Sequence, residues 1–145
     1  MIKKTVLLSC AFFFVIHLMS CANHFGSAEI TKPDEYKRVY EAKEKYILKG
    51  IAAVLKEKEI GSNVTIDRKN HRVDSDYVEV DEWRTKTSAL VRRLNWKECE
   101  VTLIVTTEKK TSGGWEMRRL LTKKEYDNFF NFIELKIYEE MAKGE

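Results

Sequence analysis

Apolar residues recur at two different periods along the chain, and the changes of period delimit the predicted elements. Between residues 31 and 58 they return every three or four positions, which predicts an amphipathic helix. We expect this helix to start near Thr31, with Pro33 in its first turn, and to end before Gly61. Its apolar face comprises Tyr36, Val39, Tyr40, Ile47, Ile51, Val54 and Leu55.

Between Val64 and Leu121 the period becomes two, which is typical of antiparallel strands that cover a core on one side. Turn-forming residues divide this stretch into four or five strands, so we expect a meander. The clearest strand begins at Glu98, where Cys99, Val101, Leu103 and Val105 alternate with mostly polar residues. The expected strands cover residues 64–66, 72–80, 85–94, 98–108 and 115–121.

A second helix is predicted to start at Thr122, because Thr122 and Glu125 have the spacing of a capping box. Its apolar stripe comprises Tyr126, Phe129, Phe130, Ile133, Ile137 and Met141, and Phe132, Leu135 and Tyr138 widen it. The order helix, strands, helix predicts an α+β fold, a two-layer sandwich. In it a four- or five-stranded antiparallel meander lies between an N-terminal and a C-terminal helix, both on one sheet face.

The N-terminal apolar run has a different role. It covers the 14 residues from Val6 to Met19 and follows Lys3 and Lys4. A permanent membrane-spanning helix needs about 20 apolar residues, so this shorter run with a basic start predicts a cleaved signal peptide and disfavours a transmembrane anchor.

The end of this run is Leu18-Met19-Ser20-Cys21, which resembles the lipobox of bacterial lipoproteins. The resemblance implies a diacylglyceryl group on the Cys21 thiol, cleavage before Cys21 and a further acyl chain, such as palmitate, on the new amine. Two or three acyl chains hold a protein on a membrane. Ala22, where an aspartate would alter sorting in this family, favours the outer membrane, with the domain facing the periplasm. An ordinary secretory peptide is the alternative.

The expected organisation is a signal peptide over residues 1–20, a lipidated cysteine and tether over 21–31, and a single α+β domain over 32–145. Cleavage also changes the charge and the cysteine content. The full chain has 26 Lys+Arg against 23 Asp+Glu, and two of the lysines leave with the signal peptide. The small basic excess predicts no nucleic-acid partner. Cys99 then remains as the one free thiol, so we expect no internal disulfide.

The predicted domain offers few groups for catalysis. His71 lies in a predicted turn, and Cys99 lies on the apolar side of a strand, where a buried and inert thiol is expected. The acidic residues between 74 and 82 lack the spacing of a calcium loop, and Gly113-Gly114 lacks the context of a phosphate-binding loop. We therefore expect no catalytic residue, no metal and no cofactor.

Two arginine pairs are the strongest candidates for ligand contacts. Adjacent residues of a strand point to opposite faces, so one member of Arg92/Arg93 and one of Arg118/Arg119 should lie on the core side or near an edge. Arg93 and Arg119 could then line a cleft for a lipid headgroup, a glycan or a carboxylate. Pairing with Glu98, Glu100 or Glu116 across strands is the alternative.

The tryptophans Trp96 and Trp115 lie at predicted strand ends, where they either cap the core or dock a partner. The leading hypothesis is a lipid-anchored, non-catalytic module that binds another envelope component, such as an envelope protein. The alternative is a small enzyme or carrier for an anionic envelope ligand, with Arg93 and Arg119 as contacts. A third possibility is an oligomer built on the wide apolar face of the second helix.

Overall fold

The structure, a computed structural model, describes residues 28–144, which form two helices and seven strands. The signal peptide, the lipobox and most of the predicted tether lie outside the described residues. The helices are α1 (Glu44–Glu57) and α2 (Lys123–Lys143). The strands are β1 (Glu35–Glu41), β2 (Ser62–Asp67), β3 (Arg72–Asp76), β4 (Val78–Val80), β5 (Trp83–Arg93), β6 (Glu98–Thr111) and β7 (Gly114–Met117).

All strands belong to one antiparallel sheet with the order β1-β6-β5-β3-β2, in which β4 pairs with β5 and β7 with β6. The central ladder joins β5 to β6 from the pair Trp83 and Lys109 to the pair Arg93 and Cys99. Both helices pack on one sheet face and against each other. The predicted α+β two-layer fold is confirmed.

The core lies between the sheet and the two helices. Gly50 of α1 allows the helices to approach closely, since a Cβ atom there would lie 2.9 Å from Ile137 Cγ1. This contact explains a glycine inside a helix, where it costs about 1 kcal/mol relative to alanine. The largest fully buried aliphatic and aromatic side chains are Ile47, Ile51, Val54, Leu55, Val73, Val101, Leu103, Phe130, Ile133 and Ile137.

The predicted helix over residues 31–58 is wrong in its first part, which forms strand β1 at the sheet edge. Tyr36, Val39 and Tyr40 fit a helical spacing, but Val39 faces outward in the strand with 45% of its surface exposed. The strand's alternation of apolar and polar residues is hidden in the sequence because Arg38, a charged residue, occupies one of the inward positions. Its guanidinium lies 5.0 Å from the Phe130 ring, and it donates a 2.6 Å hydrogen bond to Asn131.

The other strands differ from their predicted boundaries by a few residues. The strand predicted over 72–80 is two strands, β3 and β4, interrupted at Tyr77. β6 runs three residues beyond the predicted 98–108, and β7 ends at Met117. The predicted capping box of α2 is confirmed, with Thr122 and Glu125 bonded to each other's backbone amides, and Gly144 ends the helix. The sheet therefore has seven strands in place of four or five.

The first described residues join the sheet next to β7. Glu29 forms an isolated antiparallel bridge with Arg118. The Ile30 amide donates to the Met117 carbonyl over 3.1 Å, and the Arg119 amide donates to the Ala28 carbonyl over 3.2 Å. The chain is thus hydrogen-bonded to the sheet from Ala28 onward.

Candidate functional site

A cleft of about 590 Å³ opens at one end of the sheet, between the first turns of α1 and the β5–β6 loop. We call it the basic cleft. Its lining includes five cationic side chains and one carboxylate. The cationic residues are Lys43, Lys45, Lys49, Arg68 and Arg93, the carboxylate is Glu44, and the remaining residues are Ala42, Leu48, Asn95, Trp96 and Cys99.

Three different elements bring these cations together. Lys43 is the N-cap of α1, and Lys45 and Lys49 are four residues apart on that helix, which places them on one helix face. Arg68 belongs to the turn between β2 and β3. Arg93 ends β5 in register with Cys99, so it lies on the sheet face that the helices cover, as predicted for one member of its pair.

The β5–β6 loop presents Trp96 at the cleft. Asn95 Oδ1 accepts hydrogen bonds from the backbone amides of Lys97, over 2.8 Å, and Glu98, over 2.9 Å. The Leu94 amide donates to the Glu98 carbonyl over 2.9 Å. These bonds hold the loop while 83% of the Trp96 surface stays exposed, and Lys97 Nζ lies 4.6 Å from the centre of its ring.

The positive charge of the cleft is only partly compensated. Glu44 lies 2.8 Å from His71 Nδ1 and 3.7 Å from Arg93, and Lys49 lies 3.9 Å from Glu140. Within residues 28–144, no carboxylate lies within 4 Å of Lys43, Lys45 or Arg68. Lys45 lies 4.5 Å from the centre of the Tyr46 ring, a contact that leaves its charge in place. A cleft lined mainly by charges of one sign attracts a ligand of the opposite sign.

Cys99 forms part of the cleft floor and is 2% exposed, so its predicted burial is confirmed. Its thiol is directed at the Ala42 carbonyl over 3.7 Å. Burial raises the pKa of the thiol, the Glu44 carboxylate raises it further, and Arg93 opposes the increase. Since the thiolate is the nucleophilic form, this environment suits a structural cysteine.

Arg119 does not join Arg93, because it lies at the other end of β6 near Asp34. Its guanidinium donates to both Asp34 oxygens, over 2.7 and 3.1 Å. These bonds raise the pKa of Arg119. The alternative of cross-strand pairing is found for Arg92, which binds Glu100 of β6 at 3.0 Å. Arg118 pairs instead with Glu116, two residues earlier in the same segment of the chain.

Trp115 also lies at that far end and is not part of the basic cleft. Its ring centre lies 4.4 Å from the Arg84 guanidinium, which is 4.3 Å from the Tyr77 ring on another side. Arg84 also forms an ion pair with Glu108. Trp115 therefore packs against a paired arginine, whereas Trp96 remains open to solvent.

An apolar groove of about 380 Å³ was not predicted. It lies on the helix-covered side of the sheet, next to the N-terminus of α2 and to strand β4. Val80 and Trp83, both expected near a turn, lie in its wall. No cationic side chain belongs to the groove among the residues that the structure describes. Its apolar lining comprises Ile60, Val78, Val80, Trp83, Val105, Leu120, Leu121 and Phe129.

Asp74 and Asp76, two of the acidic residues between 74 and 82, have structural partners. Asp74 accepts from Arg72 over 2.5 Å and from Ser88 over 2.8 Å, and Asp76 accepts from Asn63 over 3.0 Å. In the described part of the chain, no three His, Cys, Asp or Glu side chains are grouped as a metal site requires. Neither helix of that part has the length and apolar character needed to cross a membrane.

Sequence reasoning found Arg93 and Trp96 but missed the other cations of the cleft. The four-residue spacing of Lys45 and Lys49 was a usable signal for a shared helix face. Arg68 had no such signal, because it reaches the cleft only through the pairing of β2 with β3 and the packing of α1 on the sheet.

The chain matches no model of a known protein family, and no curated protein shows detectable similarity to it.

Proposed function

We propose that this protein is a lipid-anchored, non-catalytic binding module that takes an anionic component of the bacterial envelope in the basic cleft. The observation that carries the proposal is the convergence of five cations from α1, the β2–β3 turn and β5 around one opening. Three of them, Lys43, Lys45 and Arg68, have no carboxylate partner within the described residues. The exposed Trp96 at the same opening adds an apolar contact surface.

The chemistry of the cleft favours binding over catalysis. Nucleophilic catalysis needs an accessible nucleophile with a base beside it. Cys99, the thiol of the cleft, is buried and its pKa is raised. His71 contacts Glu44 through Nδ1 over 2.8 Å and does not belong to the lining of the cleft. Lysine and arginine side chains at an open surface instead form charge-assisted hydrogen bonds with anions.

The proposed location follows from the lipobox-like segment ending at Cys21. Acyl chains on Cys21 would anchor the protein, Ala22 favours the outer membrane, and the domain would face the periplasm, where the partner is another envelope component. The alternative function, a carrier or small enzyme for an anionic envelope ligand, uses the same cleft. It is kept because the cations converge on an opening large enough for a small molecule.

Photocrosslinking in intact cells tests the binding surface. Benzoylphenylalanine is introduced in place of Trp96, and in a matched control in place of Leu135, an exposed residue on the outer side of α2. We expect an envelope component to be captured from position 96 and not from position 135. Capture only from position 135 would place the binding surface on α2 and contradict the proposal.

The anchor is tested separately with Cys21→Ala. We expect the wild-type protein to remain in the membrane fraction after a high-salt wash and the variant to be released or to accumulate unprocessed. Equal retention of a processed variant would show that acyl chains on Cys21 are not the anchor.

A further inference from the structure

We infer that the ligand of the basic cleft is a phosphorylated saccharide, with the phosphate held by the cationic side chains and the sugar ring against Trp96. This inference rests on the proposed function, since it names the anion that the cleft accepts. It is drawn from the charge, the size and the aromatic component of the cleft.

The charge of the lining favours a dianionic group. Five cationic side chains surround the cleft, and the Glu44 carboxylate is already in contact with His71 and Arg93. A single carboxylate ligand would leave most of these cations uncompensated. A phosphate monoester carries more charge and has several acceptor oxygens, which match the fork of an arginine and the point charges of lysines.

The size of the cleft exceeds that of an isolated anion. About 590 Å³ lies in the range of sites that enclose small organic ligands. Inorganic phosphate alone would leave most of this space to water. The ligand should therefore carry a neutral polar portion beside the charged group.

Trp96 favours a sugar for that portion. Lys97 lies over its ring at 4.6 Å, and 83% of the residue is exposed, so ring surface remains available for a ligand. An aromatic ring offers a flat apolar surface to the C–H groups of a pyranose, while the sugar hydroxyls stay in water. The loop bonds of Asn95 order this surface in advance, which lowers the entropic cost of binding.

Single-stranded nucleic acid is the competing polyanion. Proteins that bind it place successive bases on several aromatic side chains along a basic groove. Among the described residues that line the basic cleft, Trp96 is the single aromatic one. Tighter binding of an oligonucleotide would therefore contradict the inference.

The experiment measures ligand affinities of the full-length protein, purified in detergent, by isothermal titration calorimetry. The probes are glucose 1-phosphate, glucose, inorganic phosphate and a ten-nucleotide oligo(dT). We expect glucose 1-phosphate to bind about tenfold or more tightly than inorganic phosphate, a difference of about 1.4 kcal/mol, and glucose alone not to bind measurably.

Two variants test the phosphate contact and the sugar contact separately, and a third variant is the control. Arg93→Gln should weaken glucose 1-phosphate binding about tenfold by removing a charge-assisted contact. Trp96→Ala should abolish the advantage over inorganic phosphate and leave phosphate binding unchanged. Arg119→Gln makes the same charge change outside the cleft and should bind like wild type. Arg93 and Trp96 are exposed, and unchanged melting temperatures would show that the variants fold.

A vesicle assay distinguishes a phosphorylated sugar in a lipid headgroup from a free phosphorylated saccharide. Flotation with vesicles that contain a lipid bearing a phosphorylated sugar is compared with vesicles of phosphatidylglycerol and phosphatidylcholine. Binding to the first alone assigns the ligand to a lipid headgroup, and binding of glucose 1-phosphate alone assigns it to a free saccharide.

Measurable binding of glucose 1-phosphate that is no tighter than that of inorganic phosphate, tighter binding of oligo(dT), or wild-type affinity in both cleft variants would each overturn the inference. So would binding to neither glucose 1-phosphate nor the sugar-lipid vesicles. The proposed function is judged by the crosslinking experiment. Capture of an envelope component from position 96 without any saccharide binding would reject the inference alone.

Discussion

The two ends of the sheet carry similar residue types, but the cations that line the cleft are less fully compensated than the arginines at the far end. At the far end, Arg84 is paired with Glu108, Arg118 with Glu116 and Arg119 with Asp34. At the cleft end, Lys43, Lys45 and Arg68 have no carboxylate partner among residues 28–144, and the contacts of Lys49 and Arg93 exceed 3.5 Å. The difference shows that the same residue types are compensated by carboxylates at one end of the fold and left largely uncompensated at the other.

Trp115 and Trp96 also differ between the two ends of the sheet. Trp115 at the far end packs against the Arg84 guanidinium, whereas Trp96 at the cleft end is mostly exposed. Aromatic and cationic side chains thus stabilise one end of the sheet and remain available to a ligand at the other.

The largest effect is expected from Arg84→Ala at the far end. The substitution removes an ion pair and two ring contacts and leaves Glu108, whose side chain is 14% exposed, without its cation. We expect a loss of about 2 kcal/mol in the free energy of unfolding, measured by urea denaturation, because loss of one partner exposes the cost of burying the other. A loss no greater than that of Arg93→Ala would remove the contrast between the two ends.

The next effect is a loss of stability in alkaline solution. Burial raises the pKa of Tyr126 to about 12 and also raises that of Cys99 beneath the cleft. The folded state therefore holds these protons to higher pH than the unfolded state, and stability is lost as pH rises above the unfolded values. For Tyr126 the loss between pH 9 and 11 should be about 1 kcal/mol.

Melting temperatures between pH 8 and 11 measure this loss, and Tyr126→Phe is the control. Its ring can pack in the same place but has no proton to lose, so its melting temperature should fall less steeply over this range. An equal slope in the variant and the wild type would exclude Tyr126 as the origin.

A smaller effect is expected at the exposed pair of Arg119 and Asp34. The two bonds between them resemble a strong interaction, but Arg119 is largely in water, where ion pairs contribute little. A double-mutant cycle with Arg119→Gln and Asp34→Asn should give a small coupling that decreases further in 1 M salt. A large coupling that persists in high salt would show that this pair is better shielded than its exposure indicates.

The smallest expected effect is a slight increase in stability, opposite in sign to the losses above. Lys43→Gln combined with Arg68→Gln removes two charges of the cleft without breaking an ion pair or a ring contact found in residues 28–144. Because like charges repel, we expect the melting temperature to stay the same or to rise slightly at low salt. A clear decrease would mean that these side chains stabilise the fold and are not held ready for a ligand.

Local patterns were sufficient to predict the elements whose inward positions are apolar. The alternation of β6 and the capping box of α2 identified both elements, and the order of helices and strands indicated the α+β class. β1 was mistaken for a helix because Arg38 occupies an inward position and is stabilised by Phe130, Asn131 and Asp127 of α2, which are about 90 residues away in sequence.

The candidate site was predictable only in part for the same reason. Arg93 and Trp96 could be singled out from their places at a strand end. Tertiary packing places Asp34 beside Arg119 and places no carboxylate of residues 28–144 within 4 Å of Arg68. The sequence alone therefore could not separate a structural arginine from one that is available to a ligand.

β6 also separates the basic cleft from the part of the sheet that the first described residues join. The Arg118 amide, next to the residues where the chain enters the sheet, donates to the Thr107 carbonyl of β6, and Cys99 lies under the cleft eight residues away along the same strand. An extended strand of that length spans about 27 Å. With Cys21 as the proposed anchor, β6 is a rigid spacer that holds the opening away from the point of attachment. The reach of the binding end would then be set by the length of the segment between Cys21 and Ala28.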